Sequence, residues 1–205
     1  MKIVCIGRNY ADHARELGNA VPTEPLFFLK PDTAVLRAHH PFYLPDWTQE
    51  VHHEIELVVR IDKLGKALAP EFAHRYYSRV TVGIDFTARD IQDACKKAGA
   101  PWEKAKAFDG SAVVGSTWWT VEELGGNLGA LELGLQRNGA WVQQGTTRDM
   151  LFTVDQLIAY VSRFMTLKSG DLLFTGTPAG VGPVASGDVL EGFLCGRSAF
   201  SIAVR

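Results

Sequence analysis

The sequence predicts an α+β fold with a mostly β core. Three observations predict it: segments with strand periodicity outnumber helical ones, the helical segments are short and scattered, and strands and helices do not alternate as in a doubly wound sheet. The chain has 205 residues, 46% hydrophobic and 21% charged. That composition is globular and supplies one sizeable core, so a single domain over residues 1–205 is expected.

Residues 2–6 read as a strand ending at Gly7, and "NYADHAREL" then has helical composition and stops at Gly18 and Asn19. "PLFFLKP", residues 25–31, is an apolar strand bounded by prolines, and "PFYLP" is a second short extended piece. In "HHEIELVV", residues 52–59, the apolar side chains Ile55, Leu57 and Val59 alternate with Glu54 and Glu56. On one continuous strand both carboxylates share a face, with Cα atoms roughly 7 Å apart. A helix is expected over 67–79. "RVTVGID", 79–85, alternates again and ends with Asp85 on its less apolar face.

"TARDIQDACKKAG", 87–99, is signed as a helix: Thr87 stands as the cap, Asp90 follows three residues later, Lys96 and Lys97 fall in the last turn, and Gly99 lies beyond. Strands are expected around 131–144 with "NGAW" as the turn, then a helix over about 154–165. "GDLLFTGTPAGVGPVASGD" is a strand entering a Gly/Pro-rich loop, and strands near 188–194 and 198–204 close the sequence.

Twenty-one basic against twenty-three acidic side chains give a formal net charge of -2 with no run of like charge. This argues against a nucleic-acid surface or a membrane-binding helix as the main function. Cys5, Cys95 and Cys195 are odd in number and form no C-x-x-C pair, which reads as reduced thiols buried as small apolar residues. The apolar run of "MKIVCIG" stops at residue 6, too short for an export signal, so a cytoplasmic location is expected.

Several constellations could carry chemistry. Glu54, Glu56 and Asp85 are three hard oxygen donors of the kind that magnesium, manganese and calcium prefer, although an isolated E-x-E also suits a half-exposed strand. His13 and Glu16, three apart on the expected helix, share a face, and a carboxylate-held histidine is a competent general base. Such pairs are also common as surface hydrogen bonds. Lys104 and Lys106 in "WEKAKAF" could place one ammonium in a pocket, or both in solvent. "TGTPAGVG" lacks the phosphate-loop lysine, but its amides and the hydroxyls of Thr175 and Thr177 could hold a small carboxylate.

Taken in order, "GRNYADHARE", "FFLKP", "HHEIELVV", "GIDFTARDIQ", "PWEKAKAF", "QQGTTRDM" and "LFTGTPAGVGPV" resemble the fumarylacetoacetate hydrolase family, in its short acylpyruvate hydrolase and oxaloacetate decarboxylase branch. The resemblance spans essentially the whole chain and implies a mixed β-roll and a homodimer. It implies that Glu54, Glu56 and Asp85 hold Mg2+ or Mn2+, and that His13 and Glu16 form a dyad on a lid over residues 10–22. Lys106 matches the active-site lysine, while Arg89, Gln92 and Thr177, and less directly Arg8 and Lys30, match substrate-side residues.

The implied substrate is a small 2-oxo or 2,4-diketo acid. The ion would act as a Lewis acid and stabilise an enolate at C3, the intermediate shared by three reactions. Hydrolysis of short acylpyruvates to pyruvate and a carboxylic acid is the expected activity, with oxaloacetate decarboxylation or keto/enol tautomerisation as alternatives at the same site. A rival from another class is a metal-dependent scaffold that binds a dicarboxylate without turnover.

Overall fold

The structure is a computed structural model that describes residues 1–12, 21–36 and 40–205. The expected helix and lid around His13 and Glu16 therefore lie outside the described residues.

The largest sheet is mixed. Its order runs β2 (Leu26–Lys30), β1 (Ile3–Gly7), β11 (Leu172–Phe174), β4 (Ile55–Ile61), β5 (Tyr77–Asp85) and β7 (Ala112–Val114), and β8 (Trp119–Thr120) also pairs with β5. Only β1 and β11 pair in parallel, with Cys5 opposite Phe174. A second, antiparallel sheet has the order β10 (Ala140–Thr146), β9 (Glu132–Arg137), β13 (Val189–Leu194) and β14 (Arg197–Ala203). A third, small sheet joins β12 (Gly182–Pro183), β3 (Val51–His53) and β6 (Thr87–Ala88). The α+β class and the mixed sheet agree with the sequence.

Strand β4 is buried at six of its seven positions because it lies inside the large sheet and is covered on both faces. Its Ile55, Leu57 and Val59, with Val80, Val82 and Ile84 of β5, form the centre of the main core, against Leu133 and Leu135 of the second sheet. The β9–β10 hairpin turns at Asn138 and Gly139, both at positive φ (55° and 80°), as the Asn-Gly pair predicts.

Four α-helices stand among the described residues: α1 (Pro70–Ala73), α2 (Arg89–Ala98), α3 (Glu103–Lys106) and α4 (Val154–Phe164). Helix α4 starts with a reciprocal cap between Thr153 and Gln156 and buries Leu157, Ile158 and Val161. Helix α2 ends at Gly99 in the left-handed region (φ 63°), as expected.

Four expectations need correction. The helix expected over 67–79 is one turn of α1 and a 3-10 turn at His74–Tyr76, because β5 begins at Tyr77. Thr87 does not cap α2: it belongs to β6, the cap position is Ala88, and Asp90 accepts hydrogen bonds from the Gln49 and Ile91 amides instead. Cys195 is exposed, whereas Cys5 and Cys95 are buried. The strand that carries the two glutamates is broken. β3 ends at His53 and pairs with β6 and β12, β4 starts at Ile55 in the large sheet, and Glu54 sits at the junction.

Candidate metal and substrate site

The break at Glu54 turns a chain-local pair of glutamates into part of a three-carboxylate centre. Asp85 ends β5, and its amide donates to the Glu54 carbonyl at 2.9 Å, while Glu56 lies opposite Gly83 of β5. One carboxylate oxygen from each of Glu54, Glu56 and Asp85 lies within 4.8 Å of the others, and all three residues are buried.

Cations surround two of these carboxylates. The Lys106 ammonium, delivered by α3, spends its three donors on Glu54 Oε2 (2.7 Å), Asp85 Oδ2 (2.8 Å) and Thr87 Oγ1 (2.5 Å). Arg89, the first residue of α2, donates to Glu54 Oε1 at 2.5 Å and to Gln92 Oε1 at 2.7 Å. Lys30 lies below, with its ammonium 2.8 Å from Asp85 Oδ1, but it gives its hydrogen bonds to the Lys106 carbonyl and to Ser111. Burial alone would lower the Lys106 pKa; the Asp85 and Glu54 carboxylates outweigh it and hold the ammonium firmly protonated.

Glu56 is different. Its Oε2 accepts from the Gly176 amide at 2.7 Å, yet burial, then Asp85 and then Glu54, push its carboxyl well above the usual range. Gly176 is required here: it has φ 99°, and a Cβ would lie 2.7 Å from the Asn9 Cβ. Asp85 Oδ1 is paired with the buried Lys30 ammonium at 2.8 Å, although it accepts no well-aligned hydrogen bond. An oxygen-only set of three buried carboxylates, with Glu56 pushed up by burial and by the other two, fits a hard divalent cation such as Mg2+ or Mn2+, which would offset their repulsion.

The cleft above the carboxylates is lined by Arg8, Arg89, Gln92, Lys106 and Thr177, all expected as site residues, together with Phe28, Lys96 and Trp102. Lys30 is not part of this wall; the structure places it beneath Asp85, 1% exposed. His13 and Glu16 lie outside the described residues.

Three participants went unread in the sequence. Gln143 of β10 accepts from the Ile55 amide (3.0 Å), shares a hydrogen bond with the His53 ring (2.9 Å) and donates to Thr177 Oγ1 (2.9 Å). It ties the break at Glu54 to the Thr177 loop. Asn9 holds the segment after β1, binding both the amide and the carbonyl of Phe152 and donating to the Thr175 carbonyl. Lys96 follows Arg89 and Gln92 along α2. The first two are polar residues in strands or loops that periodicity marks as neutral, but Lys96 could have been found from its i+7 relation to Arg89.

The fumarylacetoacetate (FAA) hydrolase C-terminal family matches residues 2–197. The chain belongs to that family. Oxaloacetate tautomerase of Escherichia coli K12 is 46% identical over 197 residues, 96% of this chain and 90% of that protein. The human mitochondrial oxaloacetate tautomerase is 42% identical over 202 residues, 98% of this chain and 90% of its own. Among solved structures, fumarylpyruvate hydrolase from Pseudomonas aeruginosa, in complex with Mn2+ and pyruvate, superposes with a TM-score of 0.93. It is 37% identical and the match covers 100% of this chain and 89% of that one.

Proposed function

We propose that this chain, acting as one catalytic unit, interconverts the keto and enol forms of oxaloacetate. The observation that carries the reading is the meeting of three buried carboxylates and several cationic side chains in one cleft. Such a cleft suits a small, anionic, oxygen-rich substrate. The names of the curated relatives select oxaloacetate within that class.

Glu54, Glu56 and Asp85 would hold Mg2+ or Mn2+, which supplies Lewis-acid polarisation of a 2-oxo acid. The chain's own residues do the rest. The Arg89 guanidinium offers charge to the carboxylate at the 2-oxo end, and the Lys106 ammonium, whose three donors are held by Glu54, Asp85 and Thr87, favours negative charge on the 2-oxo oxygen through its field. Thr177 Oγ1 accepts from Gln143, and its own hydroxyl is donated to the Pro178 carbonyl only at a long 3.4 Å, a contact that an acceptor in the cleft would displace. The family resemblance gives the proton at C3 to His13, with Glu16 as its dyad partner.

A second reading has its own support. The fumarylpyruvate hydrolase structure, which holds pyruvate, favours hydrolysis of acylpyruvates at the same site. There His13 and Glu16 would activate water rather than move a C3 proton. A cytoplasmic homodimer belongs to both readings.

The test follows the enol absorbance of oxaloacetate with Mn2+-reconstituted and EDTA-treated protein, and acetylpyruvate separately by proton NMR. Metal-dependent acceleration of enol decay, without acetate from acetylpyruvate, supports the tautomerase. Acetate and pyruvate from acetylpyruvate, with no effect on oxaloacetate, replaces it with the hydrolase. Inertness towards both leaves the binding scaffold.

A further inference from the structure

Helix α2 carries Arg89, Gln92 and Lys96 at positions i, i+3 and i+7, which lie on one helical face, and all three line the cleft. Arg89 and Gln92 are buried, whereas the Lys96 side chain is 27% exposed. Lys96 stands about 10 Å farther along the axis than Arg89. It therefore marks the mouth of the cleft, and Arg89 its floor.

Arg8 converges on the same mouth from another element. It follows β1 with φ 59°, a left-handed conformation unusual for a side chain of this size. Its guanidinium lies over the Trp102 ring, 6.0 Å from the centroid, and Trp102 in turn meets the edge of Phe28. The next residue, Asn9, is fixed by its hydrogen bonds to Phe152 and Thr175, so the strained position of Arg8 is held from behind.

Charge at the mouth is evenly matched. Arg8, Arg89, Lys96 and Lys106 stand against Glu54, Glu56 and Asp85 along the wall and Asp93 at its rim, and a divalent cation would tip this balance to positive. Burial, and then Arg89 and Arg8 after it, lower the Lys96 pKa against the opposing pull of Asp93. Asp93 meets Lys96 at 3.4 Å and is itself 54% exposed, and a partly solvated pair of this kind holds a lysine weakly.

We propose that Lys96 and Arg8 form a subsite for a second, distal carboxylate, so that the chain selects 2-oxo diacids over 2-oxo acids with a neutral tail. The proposal rests on the reading of the cleft as an oxaloacetate site and names the residues that hold the second carboxylate. Neither residue is assigned to the chemistry at C2 and C3. They set which molecules reach it.

The test uses the Mn2+-loaded protein and two ligands in calorimetry: pyruvate, which has only the 2-oxo acid end, and 3,3-difluorooxaloacetate, a diacid whose fluorines remove the enolisable hydrogens. Lys96→Gln is expected to weaken the diacid by about tenfold while changing pyruvate less than about twofold, and Lys96→Arg to restore the diacid. Equal weakening of both ligands by Lys96→Gln, or no change in either, overturns the subsite. Oxaloacetate turnover measured in parallel separates the two ideas. If the diacid preference is present in the wild type and lost in Lys96→Gln, the subsite stands even where no turnover occurs and the tautomerase fails.

Discussion

Strand β11 has a carboxylate at each end, and the two are treated in opposite ways. Before it, Asp171 is 2% exposed and surrounded by donors: the Lys2 amide at 3.0 Å, the Lys168 amide at 2.8 Å, and the Lys2 ammonium. Burial works to raise its pKa, but the Lys2 ammonium and these amides prevail and hold it below the usual carboxylate range. Beyond the other end, Glu56 accepts from the Gly176 amide, but it is buried and faces the Asp85 and Glu54 carboxylates, and its carboxyl is pushed up. Both groups are shielded from solvent, but Glu56 lies deeper, and burial is the first cause of its raised carboxyl. The neighbours differ as well: the structural carboxylate is met by donors, whereas Glu56 is met by two further carboxylates, a crowding that a cation would offset.

The sharpest way to break this comparison is to neutralise one group at each end. Glu56→Gln is expected to reduce Mn2+ affinity, measured by calorimetry, by on the order of 100-fold or more, exceeding the loss typical of residues that merely orient ligands. It should also abolish metal-dependent turnover. Asp171→Asn should leave Mn2+ affinity and KM untouched. Its effect is on stability, a loss of about 2 kcal/mol from hydrogen bonds to a charged group, or roughly 4–8 °C in Tm. If Asp171→Asn weakened metal binding and Glu56→Gln did not, the contrast would be reversed.

Gln143→Leu probes the connection between the break at Glu54 and Thr177. It leaves the Ile55 amide and Thr177 Oγ1 without their partner and is expected to lower kcat about tenfold with Mn2+ affinity retained. Unchanged kcat would reduce Gln143 to a structural residue.

The smallest effect expected is a pH dependence. Because the folded-state pKa of Asp171 is depressed, its stabilisation is fully present above the unfolded value, about 3.9, and is lost as pH falls through the folded value. Melting curves of wild type and Asp171→Asn should therefore differ at pH 7 and converge as pH falls below 4. A constant gap would show that Asp171 acts by packing and not by charge.

The sequence made the same contrast only half visible. Asp85 at the end of its strand, the Asn138–Gly139 turn and Gly99 after α2 are local patterns, and each is where it was expected; the E-x-E carboxylates do meet Asp85, but across a strand break. The break at Glu54 was hidden because the apolar alternation continues through it; what stops the strand is the pairing of β3 with β6 and β12, which are distant in sequence. Thr87 looked like a helix cap for the same reason. Its hydroxyl instead accepts from Lys106, nineteen residues away in sequence, a partner no local window contains. Lys30 was read as substrate-side from its motif, and only the packing shows it beneath Asp85. His13 and Glu16 rest on the motif alone.

The central claim is that the carboxylate-crowded end of β11 is a cation site, and anomalous scattering from crystals grown with Mn2+ tests it most directly. The account predicts one strong peak among Glu54, Glu56 and Asp85, with a carboxylate oxygen of each among its ligands. A peak elsewhere, or none at this centre, would contradict it.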